Sequence, residues 1–287
     1  MSGGRERVGG TRTGARTIAT IPPAVRRALD EGREETRNLV EWLAIDMAKL
    51  LAHALPEAGF APPQVERAAA AARARAGAGI MERLHAAGAD LHELLQELRA
   101  AARRRAFATL AAHPSDMVRS FACYAAAAPD DLDLADRLAA ARPFAADPTM
   151  SVRECAWESY RKALVRELPR GLALLLPWAR DPDPNVRRCA IESSRPRGVW
   201  TCHLDALKRD PEPGRPLLEP CRSDPSDYVR RAVANWLNDA SKTTPDWVVA
   251  LTRRWQRESP TRETAWIVNH ATRTLRKRGA AGKPASG

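Results

Sequence analysis

The sequence lacks long hydrophobic runs and has few aromatic residues. None of its 287 residues lies in an apolar stretch of about 18 residues, which excludes a transmembrane helix in the sequence. The first twenty residues have no apolar segment of the kind that a secretory signal requires. We therefore expect a soluble, intracellular protein of the cytoplasm that makes no contact with a membrane.

Cysteine is scarce and does not occur in metal-binding patterns. The five cysteines form no CxxC pair, no histidine stands at zinc-ligand spacing from a cysteine pair, and no HExxH motif occurs. Free thiols are usually buried in proteins of a reducing compartment. We therefore predict no metal and no cofactor. The cysteines are Cys123, Cys155, Cys189, Cys202 and Cys221.

Acidic residues are too few to balance the basic ones. The chain has 46 Lys and Arg against 35 Asp and Glu, a formal net charge of +11. Residues 1–20 carry +3 and residues 273–287 carry +5, which leaves only +3 for residues 21–272. The body of the chain can bind a polyanion only if its basic residues gather on one face, and a basic surface can also serve solubility alone. We expect residues 1–20 to be a disordered basic tail.

A short phrase recurs four times along the chain. It reads HPSDMVR at 113–119, DPTMSVR at 147–153, DPDPNVR at 181–187 and DPSDYVR at 224–230. The valines of successive phrases are 34, 34 and 43 residues apart. A proline pushes the residue before it out of the helical region and is tolerated in a first helical turn. Each phrase therefore predicts the end of one helix and the start of the next.

The period is typical of HEAT-like repeats, in which paired antiparallel helices bury their faces by stacking. Strand signals are nearly absent. We predict an all-α fold: one α-solenoid domain over residues 21–278 with a concave groove, followed by a flexible tail at 279–287. Apart from the repeats, helices are predicted at 31–55, 63–76, 80–112 and 262–278, the last ended by Gly279.

Three positions on each recurring helix form a polar stripe. Residues two, six and ten places after each repeat valine share one helix face. Mixed acids and arginines on this face favour a binding groove, although a solvated helix face would carry the same stripe. These positions are Ser120, Glu154, Arg188 and Arg231; Tyr124, Glu158, Glu192 and Asn235; and Ala128, Lys162, Pro196 and Asp239.

Arginine and tryptophan concentrate near this stripe. Arginine clusters are footprints for phosphates, and tryptophan can stack on bases, although it packs in cores just as often. We predict a role in the groove for Trp157 and Trp200. The clustered arginines are Arg187, Arg188, Arg195, Arg197, Arg230 and Arg231.

In these residues the sequence resembles the bacterial DNA alkylation-repair glycosylases of the AlkC/AlkD type, and the AlkC branch most. The resemblance covers about the C-terminal half of the chain. Its matching stretches are DPTMSVRECAWESYR (147–161), VRRCAIESSRPRGVW (186–200), DPSDYVRRAVANWLNDASKTTPDWV (224–248) and ETAWIVNHATRTLRKRG (263–279).

The resemblance implies excision of cationic N3-alkylated bases from double-stranded DNA without base flipping, by a monomer that associates with the bacterial nucleoid. It implies that Glu154, Glu192 and Asp239 are catalytic. The stretch ECAWESYR departs from the family pattern, so that either Glu154 or Glu158 is the third acid, and we favour Glu154. The residues expected to bind DNA are Trp157, Arg188, Arg195, Arg197, Trp200, Arg231, Lys242 and Arg273.

Two other functions are compatible with the sequence. A HEAT-repeat protein can be a non-catalytic scaffold that binds DNA or a protein partner, because one fold hosts many functions. A glycosylase can also be specialised for bulky natural-product adducts. Convergence of Glu154, Glu192 and Asp239 in one groove favours an enzyme over a scaffold, because acids in a DNA groove repel phosphates.

Overall fold

A computed structural model describes residues 12–129, 131–198 and 201–281. Helices and short turns make up these ranges. No strand occurs within these ranges, which confirms the all-α prediction. The chain divides into two units, Met1–Ala122 and Cys123–Gly287. Of the predicted tails, residues 1–11 and 282–287 lie outside the described ranges. Arg12, in the predicted N-terminal tail, donates a hydrogen bond to the side chain of Glu41. No helix in the described ranges is both long and apolar enough to span a membrane.

The first unit contains six helices within its described residues and the start of a seventh. The prediction for 63–76 matches α4, but a single helix over 31–55 is wrong. The side chains of Asn38 and Asp46 accept backbone N–H groups of the turns that follow them, and each begins a new helix. The helices are α1 Pro23–Asp30, α2 Leu39–Ala44, α3 Met47–Glu57, α4 Pro62–Ala74, α5 Ile80–Gln96, α6 Ala100–Ala111 and α7 Asp116–Ala127.

The predicted helix over 80–112 is likewise divided. Arg99 has extended backbone angles and separates α5 from α6. In the second unit, the helix predicted at 262–278 is interrupted at Thr272, and its second part continues past Gly279 to Ala281. Helix composition alone therefore located the helical regions but not their breaks.

The second unit stacks its helices in repeat order. Helices α9, α12, α15 and α17 pack one against the next, and α8 packs on α9. This arrangement confirms the HEAT-like repeat prediction. The helices are α8 Leu134–Ala145, α9 Met150–Ser159, α10 Arg161–Arg166, α11 Leu168–Leu175, α12 Pro184–Ser193, α13 Asp205–Arg209, α14 Arg215–Leu218, α15 Asp227–Ala240, α16 Pro245–Glu258, α17 Arg262–Ala271 and α18 Arg273–Ala281.

The four repeat phrases form the same turn. The side chain of the first residue accepts a hydrogen bond of 2.7–3.0 Å from the backbone N–H two residues later. The arginine after the valine donates at 2.6–3.1 Å to the carbonyls of the first residue and of the proline. These bonds satisfy carbonyls at the turn and explain why the phrase recurs. The first residues are His113, Asp147, Asp181 and Asp224, and the arginines are Arg119, Arg153, Arg187 and Arg230.

The repeat valines lie in the core. Val118, Val152, Val186 and Val229 are at most 1% exposed. Four of the five free cysteines are buried, as predicted for thiols that serve as small apolar residues, and Cys202 is exposed. Val152, Val186 and Val229 are therefore buried on helices that stack on one another, and the polar stripe lies on these same inner helices, α9, α12 and α15.

Candidate active site

Three acidic side chains are brought together by the stacking of three inner helices. Glu154 lies on α9, Glu192 near the end of α12 and Asp239 near the end of α15. The side chains of Glu192 and Asp239 are only 5% and 6% exposed, whereas that of Glu154 is 28% exposed. Buried carboxylates require partners, because an unpaired charge in a poorly solvated place is costly.

Two arginines supply those partners and link all three acids. Nη2 of Arg188 lies 2.7 Å from Glu154 and 3.5 Å from Glu192. Nη1 of Arg195 lies 3.0 Å from Glu192, and its Nη2 lies 2.7 Å from Asp239. The acids therefore belong to one ion-pair chain that crosses from α9 to α15. We call Glu154, Arg188, Glu192, Arg195 and Asp239 the acid–arginine chain.

The acids hold both guanidinium groups in their charged form. Burial by itself would lower the pKa of Arg188, but Glu154 and Glu192 outweigh burial and raise it. Burial opposes the charge of Arg195 in the same way, and Glu192 and Asp239 raise its pKa. Neither arginine loses its proton in ordinary buffers, so both positive charges of the acid–arginine chain are permanent.

Each end of the acid–arginine chain has one further partner. The indole Nε1 of Trp157 donates to Glu154 at 3.0 Å, and Nζ of Lys242 donates to Asp239 at 3.0 Å. Trp157 is 3% exposed, whereas the Lys242 side chain is 38% exposed. The Trp157 ring is therefore an interior group that orients Glu154.

Arg161 fixes the backbone that carries Glu192 and Arg195. This arginine is fully buried and donates to four carbonyls, including those of Ser193, Arg195 at 2.7 Å and Cys202 at 3.2 Å. Burial lowers its pKa to about 10, so it stays charged at neutral pH. The carbonyls at the end of a helix lack intrahelical partners, and a buried cation satisfies several of them at once.

Glu158 has a partner of its own on α7. It is 4% exposed and accepts a hydrogen bond of 2.7 Å from the hydroxyl of Tyr124. Glu154, by contrast, shares Arg188 with Glu192. Which of the two is the third acid stays a prediction, in which we favour Glu154.

The predicted DNA-binding residues fall into two groups. Arg188, Arg195 and Trp157 contact the acids in this structure, and the Trp157 ring is buried; their contact with DNA stays a prediction. Arg187 and Arg230, read as part of a phosphate cluster, instead stabilise their own repeat turns, and Arg187 also pairs with Asp224 at 2.7 Å.

The second group has cationic atoms that remain accessible or lightly held. The Arg231 side chain is 67% exposed and pairs with Asp227, and Arg273 donates to Asn235 at 2.9 Å. Nε of Arg197 is buried and makes no hydrogen bond to the residues that the structure describes. Trp200 lies outside the described residues. Arg197, Arg231, Lys242 and Arg273 therefore remain candidates for phosphate contact.

Sequence reasoning missed two residues that shape the site. Arg161 was not singled out, because its partners are carbonyls 31 to 41 residues away. Tyr228 was also missed; its ring lies 4.2 Å from the Arg188 guanidinium and its hydroxyl accepts from Arg153 at 3.2 Å. Its position directly before a repeat valine was the available signal. In the described part of the chain, no group of three His, Cys, Asp or Glu could hold a metal ion.

Known proteins share this architecture. The chain is 29% identical to an alkylpurine DNA glycosylase, AlkC of Pseudomonas fluorescens, solved bound to DNA containing an abasic site analog; the match covers 83% of this chain and 64% of that one, with a TM-score of 0.69. AlkD2 of Streptococcus mutans is 19% identical with a TM-score of 0.54, covering 73% of this chain and 98% of that one, and shows the fold alone.

Sequence comparison gives a local match and a family. An uncharacterized protein of Bacillus subtilis (strain 168), YhaZ, is 48% identical over 86 residues, which are 30% of this chain and 24% of YhaZ. The chain thus covers less than two thirds of the length of both YhaZ and the AlkC structure. The model of the DNA alkylation repair enzyme family matches residues 44–275. This chain belongs to the DNA alkylation repair enzyme family.

Proposed function

We propose that the protein is a monofunctional DNA glycosylase of base excision repair. It hydrolyses the N-glycosidic bond of cationic N3-alkylated bases in double-stranded DNA, with 3-methyladenine as the main substrate and 3-methylcytosine as a second. The observation that carries the proposal is the convergence of Glu154, Glu192 and Asp239 in one ion-pair chain. No cofactor or metal takes part, and the working form is a monomer at the nucleoid, in the cytoplasm.

Acids at this place support catalysis over simple binding. DNA carries a dense negative charge, and a surface that only binds it gains by presenting cations. Three carboxylates among the proposed phosphate contacts weaken such binding. They are useful when the group to be stabilised is itself a cation. A scaffold for DNA alone gives no reason for this arrangement.

The chemistry matches carboxylates held away from water. Alkylation at N3 makes the base a positively charged leaving group, so departure needs little help from an acid. The bond then breaks through an oxocarbenium-like sugar cation, as in glycoside hydrolysis. Preorganised carboxylates stabilise that charge more strongly where water is excluded. Glu192 and Asp239, the two more buried of the three acids, face the damaged nucleotide.

The roles divide between these acids. One of Glu192 and Asp239 stabilises the sugar cation and the other positions or deprotonates the attacking water. Glu154, which is more exposed, supports them through Arg188. Arg197, Arg231, Lys242 and Arg273 hold phosphates, which positions the duplex without reading its sequence. The resemblance to the AlkC branch supports a reaction in which the base stays in the stack.

The test is release of free bases from methylated duplex DNA, separated by chromatography. The wild-type protein should release 3-methyladenine, and Glu192→Gln and Asp239→Asn should release it about 10²–10⁴-fold more slowly while duplex binding persists. The DNA strand should stay intact until it is treated with alkali, because no amine nucleophile is involved. Binding without release of any methylated base would refute this proposal and leave a scaffold or an enzyme for bulky adducts.

A further inference from the structure

Arg195 occupies the space between the two acids that are proposed to face the nucleotide. Its Nε and Nη2 lie 3.0 and 2.7 Å from Asp239, and its Nη1 lies 3.0 Å from Glu192. The Arg195 side chain is 14% exposed. A planar, delocalised cation therefore already lies between these two acids.

The carboxylates around it are already paired. Glu154, Glu192 and Asp239 pair with Arg188, Arg195 and Lys242, and Arg161 and Arg273 are further cations close to Arg195. A further positive charge could enter only against repulsion. If one resident cation leaves as the cationic base arrives, every buried carboxylate keeps a partner, which is the condition for low energy in a poorly solvated place.

Arg195 is the cation best placed to leave. Arg188 is held by Glu154, Glu192 and the ring of Tyr228, and its loss would release Glu154 as well. The Lys242 side chain is 38% exposed and, among the described residues, pairs with Asp239, so that its loss would leave Glu154 and Glu192 paired.

The backbone beside Arg195 would not have to move with its side chain. Arg161 holds the carbonyl of Arg195 at 2.7 Å and also contacts the carbonyls of Glu192 and Ser193. The side chain can therefore rotate while the helix end that carries Glu192 stays in place.

We infer that Arg195 is a specificity-determining residue that is exchanged for the cationic nucleotide. A neutral, undamaged nucleotide cannot replace it, because Glu192 and Asp239 would lose a cation and gain none. The released guanidinium then pairs with a DNA phosphate, as arginine does readily. This inference rests on the proposed function: Arg195 competes with the cationic nucleotide for Glu192 and Asp239, whereas a neutral nucleotide leaves Arg195 in place, so that Arg195 sets how strongly the protein prefers the cation.

Binding to two duplexes tests it. One contains a neutral tetrahydrofuran at the abasic position, and the other contains a pyrrolidine whose protonated nitrogen replaces the anomeric carbon. The measured quantity is the ratio of their dissociation constants. Removing the competing cation in Arg195→Gln should raise the preference for the cationic duplex at least about tenfold over wild type. Arg195→Lys, which keeps a charge but reaches fewer acceptor atoms, should lie between the two.

Arg231→Gln is the matched control. It removes a groove arginine outside the acid–arginine chain and should weaken both duplexes by a similar factor, which leaves the ratio unchanged. If Arg195→Gln does not fold, Arg195→Lys decides alone, and a ratio at or below the wild-type value overturns the inference. An unchanged or lower ratio in folded Arg195→Gln overturns it too. A wild-type protein that does not distinguish the duplexes and releases no base instead refutes the proposed function.

Discussion

Arg195 donates two hydrogen bonds to one carboxylate oxygen of Asp239, from Nε at 3.0 Å and from Nη2 at 2.7 Å. The two residues are 44 positions apart and lie at the ends of neighbouring repeats. Their pairing brings the end of α12 to the end of α15 and holds a buried carboxylate in a defined orientation. Such preorganisation is what electrostatic stabilisation of a developing cation requires.

Glu154 and Glu158 give a test of which acid of α9 belongs to the site. Glu154→Gln removes the carboxylate that pairs with Arg188, and we expect base release to slow at least about tenfold because Arg188 then acts on Glu192 alone. Glu158→Gln keeps an acceptor for the Tyr124 hydroxyl and should release bases at nearly the wild-type rate. Single-turnover rates on methylated duplex measure both, and the reverse order would assign the third acid to Glu158.

Arg231 should contribute a phosphate contact that depends on salt. Its surface pair with Asp227 is worth little, so the guanidinium can turn to DNA at low cost. Arg231→Gln should reduce the slope of log affinity against log salt by about 1. Fluorescence anisotropy at several salt concentrations measures the slope. Arg170→Gln, at an exposed position paired with Asp133, should leave it unchanged, and an equal slope for both variants would contradict the assignment.

Arg161 should be essential to the stability of the site. Arg161→Met leaves several buried carbonyls without a donor, and we expect the free energy of unfolding to fall by about 2–4 kcal/mol. Arg166→Met changes an exposed arginine of the same helix and should stay within about 0.5 kcal/mol of wild type. Urea unfolding measures both; a loss below about 1 kcal/mol in Arg161→Met would show that water replaces its hydrogen bonds.

The buried thiols should make the fold sensitive to alkali. Burial raises the pKa of Cys189 to about 11, of Cys221 to about 12 and of Cys123 well above the usual value of a thiol. The unfolded chain therefore releases these protons first, and stability that is complete below pH 9 is lost as the pH rises. Between the pKa of the thiol in the unfolded chain and its higher pKa in the folded protein, each thiol lowers the free energy of unfolding by about 1.4 kcal/mol per pH unit.

Urea unfolding with a reductant at pH 8 and pH 10 measures this loss. Cys189→Ala should show a smaller difference between the two pH values, because it removes one of the titrating thiols. Cys202→Ala, which changes an exposed thiol, should show the wild-type difference. A free energy of unfolding that stays constant between these pH values in the wild type would disprove the assignment.

Short sequence motifs that recur along the chain were sufficient to predict the repeat architecture. The turn at Asp224, for example, is closed by Arg230 within the same phrase, so its signal is contiguous and recurs. Breaks inside helices were less readable, because a single capping side chain such as that of Asn38 outweighs the helix propensity around it. The stripe contains Glu154, Glu192 and Asp239, which follow their repeat valines by two, six and ten residues, and the resemblance to the family singled out these three acids from it.

The sequence alone therefore predicts the all-α repeat, the polar stripe and the acids on that stripe. Tertiary structure decided the partners: that Arg188 and Arg195 lie between acids, that Arg161 holds carbonyls, and that the Trp157 ring is buried. The physical reason is range. A turn or a helix face depends on residues within a few positions, whereas a buried charge is paired by groups tens of residues away, which only helix packing brings within hydrogen-bonding distance.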